Sequence, residues 1–376
     1  MSTIAIDARK IADFGIGTYV RGLVAALARI DRHHRYLLLA PADAADQLPM
    51  LPGNFRWVEE RAPGYSLREL WSLARAVRRE RAELLHAPHY VLPFALPCPA
   101  VVTVHDLIHL RFPEMLSAPA RGYARFMLRR ATRLAQRVLT VSATTARELE
   151  QELGVSAERI VVAPNGVDEA FRADPEPEAA ARLRARHGLA PGYLLFVGNP
   201  KPHKNLDRLL AAYSALRRRR PQAPPLVLAG DRLGERSGLP AAIEAAGLGE
   251  AVRTLGHLPA DELPALYRGA AILVQPSLWE GFGLPVAEAM AAGTPVIAAR
   301  RGALPEVAGE AARLVDPESV EEIAAAIEAL LDDPAERLRL ARAGRARAEG
   351  FRWEECARRV LATYEEVLAE SRGARP

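Results

Sequence analysis

Two carboxylates eight residues apart bracket a glycine-rich turn in Glu280-Gly-Phe-Gly-Leu-Pro-Val-Ala-Glu288. The segment follows a strand-like run, Ile272 to Val274, and leads into a helical run, Ala287 to Ala292. Glycines at 281 and 283 let the backbone approach a ligand closely. The amides of Gly281, Phe282, Gly283 and Leu284 stand at a helix N-terminus, where hydroxyl or phosphate oxygens bind. Pro285 suits the first helical turn, where its missing N–H costs nothing. With one carboxylate in the loop and one a turn into the helix, the pair can bracket a ligand rich in hydroxyls. A helix start favoured by acidic residues explains neither the glycines nor the second glutamate.

A second constellation, Phe196-Val-Gly-Asn-Pro-Lys-Pro-His-Lys-Asn205, follows the strand-like Tyr193 to Val197. Open parallel sheets collect ligands at the carboxyl ends of their strands. Lys204 sits there, just ahead of a helix start, and offers a point charge to a diphosphate, while Gly198 permits close approach. A proline-rich turn with a solvent-facing lysine is the competing reading.

The loop Asp13-Phe-Gly-Ile-Gly-Thr-Tyr19 lies between the first strand and the first helix, so Gly15 and Gly17 can present amides to a phosphate. A dinucleotide fingerprint would need a third glycine where Val20 stands, and an acidic residue where the second strand ends in Leu-Leu-Leu-Ala40. A nicotinamide enzyme is therefore disfavoured. His105, with Asp106 beside it to tune its charge, ends the strand Val101-Val-Thr-Val and so lies on the ligand-facing edge. His86, His89 and Tyr90 cap the preceding strand. Gly256 and His257 follow another strand, at a point where a helix start at Pro259 explains the same residues.

The Glu280 to Glu288 segment matches the E-x7-E pattern of family 4 of the retaining glycosyltransferases, and Ala292-Gly-Thr-Pro-Val-Ile297 is typical of the same family. The chain resembles that family over nearly its whole length, most strongly from Phe196 to Arg300. The resemblance implies the GT-B fold: two Rossmann-like parallel-sheet α/β domains facing each other across a cleft that closes on the donor. It implies that Glu280 and the Gly281 to Gly283 amides hold the donor hexose, that Glu288 holds the ribose hydroxyls, and that Lys204 stabilises the departing diphosphate. Many members carry an arginine where Asn199 stands, which leaves Lys201 as the candidate second cation. By the same resemblance Gly15 and Gly17 face the donor phosphates, His105 orients the transferred sugar, and Gly256 and His257 flank the nucleobase. His86, His89, Tyr90 and Asp106 fall on the acceptor side.

Within the family, Asp7-Ala-Arg9 with Gly-Ile-Gly-Thr-Tyr19, and Pro164-Asn-Gly-Val-Asp168, look most like bacterial mannosyltransferases that build O-antigen and related polysaccharides. The expected reaction moves mannose from GDP-mannose to a growing glycan or lipid-linked oligosaccharide with retention. The expected partners are thus a nucleotide-sugar donor and a glycan or lipid-linked acceptor. No cofactor is implied and no metal, and the sequence has no D-x-D arrangement to hold a divalent ion. Three alternatives stay open: a UDP-sugar transferase of the same family, a nucleotide-sugar epimerase, and a non-catalytic nucleotide-sugar-binding subunit.

These loops need rigid elements behind them. Short apolar runs alternate with amphipathic helical stretches, the pattern of parallel sheets covered by helices. The first unit has candidate strands at Thr3 to Asp7, Tyr36 to Leu39, Leu84 to His86, Ala100 to Val104, Val138 to Val141 and Ile160 to Val162, with helices including Ser66 to Arg79 and Ala118 to Gln136. Strands of the second are expected at Tyr193 to Val197, Leu226 to Ala229, Val252 to Leu255, Ile272 to Val274 and Pro295 to Ala298. The domain boundaries follow: residues 1–170 on the acceptor side, a connection at 171–190, a donor domain at 191–351, and a helix at 352–372 returning to complete the first domain.

Composition bounds the rest. A chain of 376 residues exceeds one compact core and suits two domains of about 150 residues. Cys98 and Cys356 show no metal or disulfide spacing, and the first residues lack the basic and apolar regions of a signal peptide, so the expected setting is cytoplasmic. Nor is there a run of ~18 apolar residues to span a bilayer. Residues 1–170 hold 22 Lys and Arg against 18 Asp and Glu, while the remainder balances at 28 each. That excess suits an anionic partner, a phospholipid surface or a phosphorylated acceptor, or else is a solvated Arg-rich surface. The basic, apolar-striped stretch Tyr123 to Arg137 fits peripheral docking on anionic membrane at the inner face of the plasma membrane, or packing on the sheet. Nucleic acid is not expected, since no groove-reading motif accompanies the charge.

Overall fold

In the computed structural model the chain forms two compact units, Met1–Gly166 together with Arg352–Pro376, and Val167–Phe351. The structure describes residues 1–62, 66, 68–173, 177–231, 233–234 and 238–373. Segment 167–190, read from sequence as largely a connection, lies in the second unit and carries the helix Pro177–His187.

The first unit is built on seven parallel strands: β1 (Thr3–Asp7), β2 (Arg35–Ala40), β3 (Phe55–Glu59), β4 (Leu84–Ala87), β5 (Ala100–Val104), β6 (Arg137–Thr140) and β7 (Ile160–Val162). Their order is β3-β2-β1-β4-β5-β6-β7. The second unit has six: β8 (Tyr193–Val197), β9 (Leu226–Ala229), β10 (Val252–Gly256), β11 (Ala270–Gln275), β12 (Val296–Ala299) and β13 (Arg313–Val315), in the order β10-β9-β8-β11-β12-β13. Central strands such as β5, Ala-Val-Val-Thr-Val, are buried along their whole length, because helices cover both faces of a parallel sheet. Two strands escaped the sequence reading, and both are edges. β3 alternates exposed Arg56 and Glu59 with buried Phe55 and Val58, and β13 is three residues long with Arg313 exposed. An edge strand has one paired side and less burial, so it lacks the continuous apolar run that marks a central strand.

In each sheet the chain order reverses once, between β1 and β4 and between β8 and β11. Ligands of such sheets bind outside the carboxyl ends of the strands at this point.

The last helix, Trp353–Gly373, belongs to the first unit and packs on the helix Phe14–Ile30. A Cβ built at Gly22 would fall 2.1 Å from the Trp353 ring, so glycine there allows the two helices their close approach. Arg137 anchors the other end of the helix through Glu366 at 2.9 Å and Glu370 at 2.5 Å. Among the described residues no helix is long and apolar enough to cross a membrane.

Candidate functional site

In the second unit the turns after β8 and β11 meet through Lys204 and Glu280. Lys204 Nζ lies 2.6 Å from Glu280 Oε1, with both side chains largely buried. Burial alone would push the Glu280 carboxyl up, but Lys204, with Ser277 and His203, outweighs it and holds the carboxyl below its ordinary value. Glu280 is therefore an anion. Buried Gln275 steadies the turn, donating to Ser277 Oγ at 3.0 Å and more weakly to Glu280 Oε1 at 3.4 Å.

Two residues that sequence reading passed over hold this pair in place. Asn205 has φ of +62°, a left-handed conformation that asparagine tolerates better than most. Its side chain donates to the carbonyls of Pro276 at 2.9 Å and Pro317 at 2.7 Å, which ties the Lys204 turn to the segment after β11. Gly302 has φ of +58°, and a Cβ there would lie 2.7 Å from the Glu280 carbonyl oxygen and 2.9 Å from its nitrogen. Glycine therefore lets the turn after β12 close over the Glu280 backbone, sealed by Ala303 N–H donating to Glu280 O at 3.0 Å. An asparagine directly before a helix and a glycine shortly after a strand were the available signals; nothing in their spacing names their partners.

The helix after the glycine turn, Leu284–Ala292, starts one residue past Gly283, and no side chain caps its N-terminus. Its first-turn dipole and amides thus follow directly on the turn that carries Glu280. Phe282 is buried against Phe351, with ring centroids 5.4 Å apart, so it anchors the turn by packing. Glu288, partly buried on the same helix, accepts a hydrogen bond from Tyr267 at 2.7 Å. Burial and the charge of Asp168 push its carboxyl up to about 7 against the lowering effect of Tyr267.

The other residues expected here are less committed. Gly198 lies just past β8 and Gly256 ends β10. Asn199 spends its side-chain oxygen on the Asp231 amide at 3.1 Å, a structural use that leaves its amide nitrogen for a ligand. Lys201 and His257 are exposed.

The first unit carries a second group at the carboxyl ends of β1, β4 and β5. Gly15 and Gly17 lie inside the first turn of the helix Phe14–Ile30 rather than in a loop ahead of it. Gly15 is exposed and Gly17 buried; the N-cap residue Asp13 makes no side-chain cap, and the first turn has no acidic residue. His105 donates through Nε2 to the Pro88 carbonyl at 3.0 Å, which leaves Nδ1 with its lone pair, and burial holds the ring below the usual histidine range. Asp106 is engaged with its own backbone, accepting from Ile108 N at 3.0 Å. Tyr90 is partly exposed, near His109.

Two histidines expected on the acceptor side prove to be interior. His86 is fully buried, with Nδ1 2.5 Å from the Tyr364 hydroxyl and Nε2 2.8 Å from Thr103 Oγ1. His89 is 2 % exposed and bridges Asp7 at 2.9 Å. Both ring nitrogens of His86 are used, so it has no atom left for a ligand in this arrangement. Asp7 in turn takes two bonds from Arg9, at 2.7 and 2.6 Å, and Arg9 pairs with Glu69 at 3.1 Å. Burial opposes the charge on Asp7, but Arg9 and His89 outweigh it and hold the carboxyl well below the usual range. This network fixes the turn after β1 beside a small pocket of about 180 Å³ that includes Lys10, Asp13 and Arg61.

Among the described residues no group of three or more His, Cys, Asp or Glu is placed to hold a metal ion.

Residues 181–347 match the family model described as Glycosyl transferases group 1, and residues 15–171 match Glycosyltransferase Family 4. The O-antigen chain mannosyltransferase B of Escherichia coli is 32 % identical over 365 residues, which is 93 % of this chain and 95 % of that protein. A D-inositol 3-phosphate glycosyltransferase of Pseudarthrobacter chlorophenolicus is 36 % identical over 236 residues, 61 % of this chain and 56 % of that one. Among solved structures, the sucrose-phosphate synthase of Thermosynechococcus elongatus superposes with a TM-score of 0.79 at 23 % identity, covering 98 % of this chain and all of that one, a likeness of fold.

Proposed function

The chain belongs to glycosyltransferase family 4 and has the GT-B fold, and on that premise we propose that it transfers mannose from GDP-mannose to a growing glycan or lipid-linked oligosaccharide, with retention of configuration. The observation that carries the donor site is the Lys204–Glu280 pair, 2.6 Å apart, beside an uncapped helix N-terminus at the reversal point of the second sheet. An anionic carboxylate accepts sugar hydroxyls. A lysine and a helix N-terminus attract a diphosphate and lower the energy of the charge that grows on it as the glycosidic bond breaks. These two sources of positive charge support transfer without a metal.

In this reading Glu280 and the Gly281 to Gly283 amides hold the hexose, and Glu288, steadied by Tyr267, holds the ribose hydroxyls. Lys204 takes the pyrophosphate with Lys201 or the Asn199 amide as the second contact. His105 accepts a sugar hydroxyl at Nδ1, which its bond to Pro88 leaves available. Gly256 and His257 border the base, and Gly15 and Gly17 present amides to the donor phosphates. The acceptor hydroxyl attacks the anomeric carbon on the face from which the diphosphate leaves, and its proton passes to the departing phosphate oxygen. The mannosyl assignment is supported by the Escherichia coli relative that this chain matches over nearly its full length.

Calorimetric titration with GDP, UDP, GDP-mannose and UDP-glucose, in EDTA and then in magnesium, tests the reading. Micromolar binding of GDP and GDP-mannose in EDTA is expected. Preference for uridine nucleotides would overturn the sugar and the base, and a strict need for magnesium would overturn the metal-free mechanism.

A further inference from the structure

Four buried polar side chains of the first unit form one hydrogen-bonded chain that the proposed reaction does not use. The Tyr364 hydroxyl lies 2.5 Å from His86 Nδ1, His86 Nε2 lies 2.8 Å from Thr103 Oγ1, and Thr103 Oγ1 lies 3.1 Å from the Tyr19 hydroxyl. All four residues are at 1 % exposure or less. Hydroxyls and an imidazole are costly to bury unless they bond to one another. An apolar set would fill the same space without that cost, so what the chain adds is a fixed geometry for the rings it joins.

The chain ends on Tyr19. Its hydroxyl meets Thr103, and its ring meets the His105 ring edge-on, with centroids 4.8 Å apart and planes at 78°. Side chains two residues apart along a strand share a face, so one tyrosine spans both Thr103 and His105. Trp353, the first residue of the last helix, packs against the same tyrosine with centroids 6.2 Å apart. The last helix therefore reaches Tyr19 twice: directly through Trp353, and from Tyr364 by way of His86 and Thr103.

His105 needs such a support. Its Nε2–H donates to the Pro88 carbonyl at 3.0 Å, which makes Nδ1 the acceptor. The torsion that turns an imidazole on its Cβ is broad and roughly two-fold, so one hydrogen bond leaves the ring room to swing. A half turn would put a carbon where the Nδ1 lone pair stands. The Tyr19 ring, packed at nearly a right angle to it, opposes that swing.

We infer that Tyr19 is a positioning residue for His105: it holds the imidazole in the orientation that presents Nδ1 to a sugar hydroxyl, and it is itself held by the Thr103–His86–Tyr364 chain from the last helix. The inference rests on the role proposed above for His105. It gives the tyrosine that closes the Gly-Ile-Gly-Thr-Tyr19 segment a function apart from that of the two glycines.

The test combines turnover with a spectroscopic signature. GDP-mannose with a mannosyl oligosaccharide acceptor gives kcat and KM, and NMR of nitrogen-labelled histidine gives the ring signals of His105, assigned with His105→Ala. Tyr19→Leu removes the ring and should lower kcat about tenfold or more while the donor KM stays within about twofold of the parent, since a misplaced group costs rate more than ground-state binding. Tyr19→Phe and Thr103→Val keep the ring and cut only its anchor, and should each lower kcat about threefold. The parent should show a protonated Nε2 and a bare Nδ1; in all three variants these signals should broaden or average as the ring swings. Circular dichroism checks that each variant is folded at the assay temperature, and if Tyr19→Leu is not, the signals of Tyr19→Phe and Thr103→Val decide. Parent-like signals in every folded variant overturn the inference, as does a Tyr19→Leu that turns over no more slowly than Tyr19→Phe. A His105→Ala variant with the parent's kcat overturns the proposed role of His105 and the inference with it. A kcat that falls in His105→Ala and not in Tyr19→Leu overturns the inference alone.

Discussion

Lys204 Nζ sits 2.6 Å from Glu280 Oε1, an ion pair that joins the turn after β8 to the turn after β11 where the strand order of the second sheet reverses. Lys204 holds the carboxyl of Glu280 below its ordinary value in a place where burial alone would push it up.

Removing either partner should therefore damage function far more than fold. Glu280→Gln and Lys204→Met are each expected to lower kcat by roughly a hundredfold or more, the scale of losing a charged group aimed at developing charge. Lys204→Met leaves a buried carboxylate unpaired, with a cost of up to about 3 kcal/mol that protonation of Glu280 relieves at lower pH. The double variant should be less destabilised than the sum of the two. Steady-state rates with urea unfolding check this, and near-normal turnover in both single variants would sink the site assignment.

Glu288 predicts a pH dependence. Burial and Asp168 push its carboxyl up to about 7, so the folded protein binds a proton there that the unfolded chain, with an ordinary carboxyl near 4.5, does not. As pH rises through that window the unfolded state gains relative to the folded one, so this group's contribution falls and then levels off above about 7. Ribose hydroxyls need the ionised form as acceptor, so nucleotide affinity should rise across the same range. Tyr267→Phe removes the bond that favours ionisation and should move the midpoint up, while Asp168→Asn removes a repelling charge and should move it down. Titration calorimetry across pH reads both shifts, and a flat profile would remove Glu288 from the nucleotide site.

Gly302→Ala should impair the site from behind. A Cβ there would lie 2.7 Å from the Glu280 carbonyl oxygen, at a backbone φ of +58° that alanine resists. The expected result is a loss of about 1–3 kcal/mol in stability with a larger fall in kcat, since the displaced backbone carries Glu280. Equal losses in kcat for alanine at exposed Gly53, where a Cβ would meet nothing within 4 Å, would show that the effect is not specific to this contact.

His86 should behave as a core residue. Burial, with His105 and His89, holds its ring down to about 3 against the attraction of Asp7, so it stays neutral in the folded protein. The unfolded chain takes up a proton near 6.5, so stability should fall as pH drops from about 6.5 toward 3. Tyr364→Phe leaves Nδ1 of His86 without its partner and should cost about 1–3 kcal/mol. Thermal unfolding against pH measures this. An acceptor KM that moves while the melting temperature does not would restore His86 to the acceptor side.

Much of the fold was legible in the chain because central strands such as β5 and β11 are short apolar runs bounded by turns, and the loops after β8 and β11 are written in glycine, proline and charge. Helix boundaries came within a few residues. Edge strands β3 and β13 were not legible, although the edges β7 and β10 were: a strand paired on one side only can do without a continuous apolar sequence, and β3 with exposed Arg56 and Glu59 and the three-residue β13 do.

The candidate site divides along the same line. Residue types and local spacing single out Glu280, Glu288 and Lys204, because the glycine turn and the helix start that present them are each contained in about ten residues of sequence, while His105 was singled out by the family resemblance together with its place at a strand end. What only the tertiary structure decided is which of them meet. Lys204 and Glu280 are 76 residues apart, His86 and Tyr364 are 278 apart, and Asn205 bridges to Pro317 across 112. Those distances close through a parallel sheet whose order places β8 beside β11 and through a last helix that returns to the first unit. Burial and the partners it brings together then set each group's state, and both belong to the packed chain rather than to any segment: burial raises Glu280 and Glu288 alike, but Lys204 turns Glu280 downward, and the partners of their ring nitrogens are why His86 is core while His105 keeps a lone pair for a ligand.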